Sequence, residues 1–163
     1  MINIPDRKSM KRRLVLARTI FLANHSELLT KDASERAMTH KFAEALQTVF
    51  PEWHVDCEYN RDGKMPKRIS LPKRPCKNIF PDIIVHRRGR ADNLLIIEAK
   101  KGGATAKEIA YDRKKLKAYI SGNLGYRYAL SITFASAAMP SVTLRWHTLL
   151  NPSAGPPLAN PMR

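Results

Sequence analysis

The chain has 163 residues, 44% of them hydrophobic, which suits one domain around a single modest core. Lysine and arginine outnumber the acids by 29 to 14, a formal charge of +15 that draws polyanions, and no apolar run nears the roughly 20 residues needed to span a bilayer. Stretch 14–22 carries Arg18 and no small-residue cleavage site, which argues against a signal peptide, and two cysteines, Cys57 and Cys76, fit a reducing cytoplasmic setting rather than a disulfide framework.

Nucleic acid is the expected partner of such a charge, and no membrane association is expected. Along the chain, Leu14, Ala17, Phe21 and Leu28 recur at helical spacing and predict an accessory helix over 8–29, within an N-terminal segment 1–30. Ser34 is a candidate N-cap for a second helix that runs to about Phe50 and stops at Pro51. Residues 53–59 alternate as a strand, with Val55, Cys57 and Tyr59 on one side and Asp56 and Glu58 on the other. The Pro-, Lys- and Arg-rich stretch 61–77 reads as a long basic loop.

Apolar strands over 82–86 and 93–100 follow, joined by the turn-like Arg87-Arg88-Gly89-Arg90. Gly102 and Gly103 interrupt the chain, and Thr105 with Glu108 forms a capping-box pattern opening a helix to about Ile120. A further strand is expected over 126–134. The main domain occupies 31–150, and the Pro-rich tail 151–163 reads as disordered. The order is helix, three strands, helix, strand (αβββαβ), an α/β fold with a central mixed four-stranded sheet and an extra N-terminal helix.

The chemistry concentrates at strand ends. Glu98 and Lys100 share one face of their strand, and Ala99 turns to the other. Pro81-Asp82 opens the preceding strand, so an antiparallel hairpin brings Asp82 close to Glu98. Two carboxylates and the Ala99 backbone carbonyl suit Mg²⁺ (or Mn²⁺), which prefers hard oxygen and binds phosphate. A lysine beside them can orient or deprotonate an attacking water.

Pro81-Asp82 and Glu98-Ala99-Lys100, in this element order, resemble the PD-(D/E)XK nuclease superfamily over residues 34–135. The resemblance implies a restriction-endonuclease-like core and hydrolysis of phosphodiester bonds, in DNA first. It assigns the metal to Asp82 and Glu98 and the water to Lys100. Relatives resembling archaeal Holliday junction resolvases add a helix glutamate in a context like Ser34-Glu35-Arg36. Met38, Phe42, Ala45, Leu46 and Val49 form the apolar stripe of that helix; Glu35 borders it and Glu44 lies opposite with His40, so Glu35 is the chosen fourth member. RecB-like exonucleases of the superfamily carry a glutamine and a tyrosine on the later helix. Tyr119 is present without that glutamine, which counts against a processive exonuclease of that type.

For phosphate contact the candidates are Arg61, Lys64, Lys67, Arg68, Lys73, Arg74 and Lys77 of the basic loop, with Arg88 at the hairpin tip. Asp56 and Glu58 read as the exposed side of an edge strand, His86 as structural, and Asp112 with Lys115 as a solvated ion pair. A zinc site is not expected, because His54, Cys57 and Cys76 lack metal-binding spacing. The alternative reading is a basic nucleic-acid-binding protein without turnover, and a homodimer through the first helix stays open.

Overall fold

The computed structural model describes residues 4–62, 65–71, 74–122, 124–136 and 139–147. Among them are three helices, α1 (Arg7–Thr30), α2 (Glu35–Val49) and α3 (Ala106–Ser121). The strands are β1 (His54–Cys57), β2 (Arg61–Asp62), β3 (Met65–Pro66), β4 (Arg68–Leu71), β5 (Arg74–Asn78), β6 (Ile83–His86), β7 (Asn93–Lys101), β8 (Tyr128–Ala135) and β9 (Ser141–His147). The main sheet has five strands, not four, in the order β1-β6-β7-β8-β9. Only β7 and β8 are parallel, and α3 makes their crossover. The fifth strand, β9, is additional to those the sequence predicts; Val142, Leu144 and Trp146 alternate inward as any half-buried strand requires.

The sheet separates two apolar layers. On one side Ile83, Val85, Leu95, Ile97, Ala99, Leu130, Ile132 and Phe134 meet the stripe of α2 and the buried Met10, Leu14, Ala17 and Phe21 of α1. Phe21 packs ring to ring on Phe42 at 5.7 Å and on Phe134 at 5.5 Å, so α1 contributes to the main core rather than standing apart from it. On the other side Ile84, Ile96 and Ala129 meet Leu116 and Tyr119 of α3 and Tyr126. No described helix is long and apolar enough to cross a membrane.

Local chemistry sets the element ends. The Ser34 hydroxyl accepts from the Ala37 amide at 3.2 Å and starts α2. Thr105 and Glu108 make the expected reciprocal capping box, with the Thr105 amide donating to Glu108 Oε2 at 2.8 Å. Gly89, at φ +73, takes the left-handed turn of the β6–β7 hairpin.

The basic stretch is not a loose loop. It pairs as two small antiparallel ribbons, β2–β3 and β4–β5, and Ile69 and Ile79 anchor it in the α3-side core. Strand alternation also fails at Glu58, whose φ of +50 ends β1 and swings Tyr59 onto the α3 side while Val55 stays with the other layer. The expected tail, 151–163, lies outside the described residues.

Candidate active site

Ile83 opposes Ile97 in the β6–β7 register, so the next positions outward are Asp82 and Glu98. Ile84 and Ile96 face α3, and with a period of two Asp82, Glu98 and Lys100 share that face at the mouth of the hairpin. Asp82 Oδ2 accepts a hydrogen bond from the Ala99 amide at 2.7 Å, which ties the two strand ends together. Burial raises the Asp82 carboxyl above its ordinary range, against the pull of that amide, Lys100 and Lys115.

Glu98 is 2% exposed. Tyr119 donates its hydroxyl to Glu98 Oε1 at 3.0 Å, and the Lys115 ammonium pairs with Oε2. Burial, reinforced by Asp82 and Asp112, pushes the Glu98 carboxyl up to about 7 despite Lys115. Asp112, Lys115 and Tyr119 stand at i, i+3 and i+7 on α3, one stripe aimed at the strand end.

Lys100 Nζ lies 3.5 Å from Asp112 Oδ2 and 3.7 Å from Glu35 Oε1. Burial works against its charge, but Asp112, Glu35 and Asp82 outweigh it and hold the ammonium above its ordinary value. Glu35 does reach β7, because its Oε2 accepts from the Lys101 amide at 2.8 Å. Glu44, in contrast, pairs with Lys41 and His40 on the exposed face of α2. The helix glutamate chosen from the stripe is therefore the one beside the strand end.

Four carboxylates (Glu35, Asp82, Glu98, Asp112) thus gather around two ammonium groups, Lys100 and Lys115. Asp112 is 6% exposed, and its Oδ2 accepts no hydrogen bond from the described residues. All of these donors are hard oxygen, the kind Mg²⁺ and Mn²⁺ take. Among the described residues no group of three or more His, Cys, Asp or Glu is set to hold a metal ion as it stands. Both oxygens of Glu98 have protein partners.

α3 contributes more to the site than a solvated ion pair would. Asp112 and Lys115 do pair, at 3.1 Å, yet they face the acidic centre rather than solvent. The spacing of Asp112, Lys115 and Tyr119 was the available signal, masked by the flanking Arg113, Lys114 and Lys117.

The phosphate-contact candidates divide. Lys67 is 1% exposed with its ammonium 4.8 Å from the Tyr59 ring, so it is a buried structural cation and not a surface phosphate ligand. Arg61 and Arg68 are exposed, and Arg68 Nε donates to Asn78 at 3.0 Å. Arg88 is half exposed but bound to Asp56 through Nε at 2.8 Å. Asp56 also meets His86 Nε2 at 2.8 Å, and Glu58 pairs with Arg36, so neither acid joins the cluster. Lys64 and Lys73, and the side chains of Arg74 and Lys77, lie outside what the structure describes. No known protein family, curated protein or solved structure matches the chain.

Proposed function

We propose that this protein is a metal-dependent nuclease of the PD-(D/E)XK type, hydrolysing phosphodiester bonds in nucleic acid, with DNA as the first substrate to test. The observation that carries the reading is the charge count at the strand end. In a chain of net +15, four carboxylates surround two lysines in a largely buried place, which leaves an acidic excess of two. With all four ionised such an excess is costly; without a metal it is relieved by the proton that the raised Glu98 and Asp82 carboxyls hold more tightly, and a divalent cation would take that proton's place.

Asp82, Glu98, Glu35 and the Ala99 carbonyl are the residues that would hold Mg²⁺ or Mn²⁺. A bound divalent ion supplies Lewis-acid polarisation of a phosphoryl oxygen and a more acidic water. The protein's own groups do the rest. Asp82 and the Ala99 amide fix the two strand ends against each other. Lys100, 30% exposed in its side chain, stays charged among its acids and orients the attacking water. Tyr119 holds Glu98 in one rotamer from the buried side.

One observation favours a second reading. The Lys115 ammonium already neutralises Glu98, as it would in a nucleic-acid-binding protein that has no turnover. The test is a cleavage panel of single-stranded, duplex and branched DNA and single-stranded RNA, in Mg²⁺, Mn²⁺ or EDTA, with Glu98→Ala alongside. Cleavage that needs the metal and vanishes in the mutant supports the nuclease. Binding without cleavage of any substrate rejects it in favour of the binding protein.

A further inference from the structure

Beside the acidic centre, the α3 side of the sheet continues as a polar face. Val142 packs in the α1/α2 layer with Leu144 and Trp146 against it, so Thr143, Arg145 and His147 point the other way. Ser131 and Thr133 of β8 share that side, and Ser131 meets His147 Nε2 at 2.9 Å. These residues border a cleft of about 150 Å³ whose other walls include Glu98, Lys100, Asp112 and Arg113. The acidic centre and the polar face therefore share one cavity.

Its charges are unequal in their partners. Glu98 and Asp112 are taken by Lys115 and Lys100, and Lys101 is taken by Asp32 at 2.6 Å. Among the described residues no carboxylate lies within ion-pair distance of Arg113 or Arg145, and both are exposed. Burial, then Arg113, Arg145 and Lys117, hold the His147 imidazole below its ordinary value, as a concentrated positive field would. Glu98, Ser131 and Arg145 also stand in one rank across β7, β8 and β9. Two strand spacings, roughly 10 Å, separate the first backbone from the last.

We propose that Arg113 and Arg145 form a phosphate subsite that holds the backbone of a nucleic-acid strand beside the bond cut at Glu98 and Lys100. The occupant follows from charge complementarity: two planar guanidinium groups without acids suit a phosphodiester, and the sheet beneath them offers hydroxyls. The inference rests on the phosphodiesterase reading of the acidic centre and adds where its substrate lies.

The experiment is fluorescence polarisation of a labelled single-stranded oligonucleotide with the full chain in EDTA, where no turnover occurs. Arg113→Gln, Arg145→Gln and the pair are compared with Arg12→Gln, an exposed cation of α1 on the opposite layer. Each subsite substitution should weaken binding about fivefold at about 0.1 M salt and lower the slope of log K against log salt by about 0.7. The pair should lose about 25-fold, and Arg12→Gln less than twofold. A double variant within twofold of the parent, or an equal loss in Arg12→Gln, overturns the subsite. Binding is read without metal. Subsite loss in a parent protein that is inert in Mg²⁺ therefore upholds the phosphate site while rejecting the hydrolysis reading.

Discussion

Lys115 of α3 pairs with Glu98 of β7, and Tyr119, one turn further along the helix, donates to the other Glu98 oxygen at 3.0 Å. The crossover helix therefore closes the acidic strand end from behind. Burying one carboxylate this deeply is tolerable only because two donors from one helix meet it.

Removing one member of that pair should hurt more than removing both. Lys115→Met should cost about 3–5 kcal/mol in urea denaturation, since it leaves Glu98 buried without its counter-ion. Glu98→Gln added to the same chain should restore most of that loss. Additive single and double mutants would contradict a shared buried interaction.

The pH dependence has two opposing parts. His86 is held below its ordinary value, chiefly by burial, so the unfolded chain takes the proton first and the stabilisation from neutral His86 fades as pH falls below about 6.5. Glu98 is raised to about 7, so its folded form keeps a proton that the unfolded chain releases, and stability falls as pH rises from about 4.5 to about 7. The deficit of His86→Gln relative to the parent should therefore shrink between pH 7 and pH 5. Glu98→Gln should gain over the parent as pH rises across the same interval. Urea midpoints at the two pH values check both signs, and a change in the reverse direction for either variant would contradict its assignment.

Helix capping gives a more local check. Thr105→Ala removes the acceptor for the Glu108 amide and the hydroxyl that donates to Glu108 Oε2 at 2.7 Å. It should cost about 1 kcal/mol in chemical denaturation. A loss below a few tenths would mean that α3 is held by packing alone.

Phe21→Ala tests how far α1 belongs to the core. With rings of Phe42 and Phe134 against it and no exposure, its truncation should cost about 3–5 kcal/mol within a single cooperative transition. A separate early transition for α1 would mark it as an appendage.

Period and punctuation made much of this legible. The α2 stripe, the capping box, the β6–β7 hairpin and the approach of Glu35 to β7 all follow from apolar spacing and end signals. What escaped depends on non-local contact. Lys67 is buried only because Tyr59 and Tyr126, far apart in the chain, bracket its ammonium. The basic stretch folds because Ile69 and Ile79 find Leu116 and Tyr119, an apolar signal outnumbered by its charges. β9 lies between Pro140 and the tail, and its alternation was short and mixed with Arg145 and His147.

The proposed nuclease would cut its phosphodiester bond with the carboxylates at the mouth of one hairpin and Lys100 among them. Its most direct test is the single-turnover rate of Mg²⁺-dependent cleavage by purified Lys100→Ala beside the parent, with matched circular dichroism. Loss of the lysine proposed to orient the water should slow cleavage by about 10²–10³-fold with the fold intact. A Lys100→Ala protein that cuts as fast as its parent would contradict the account.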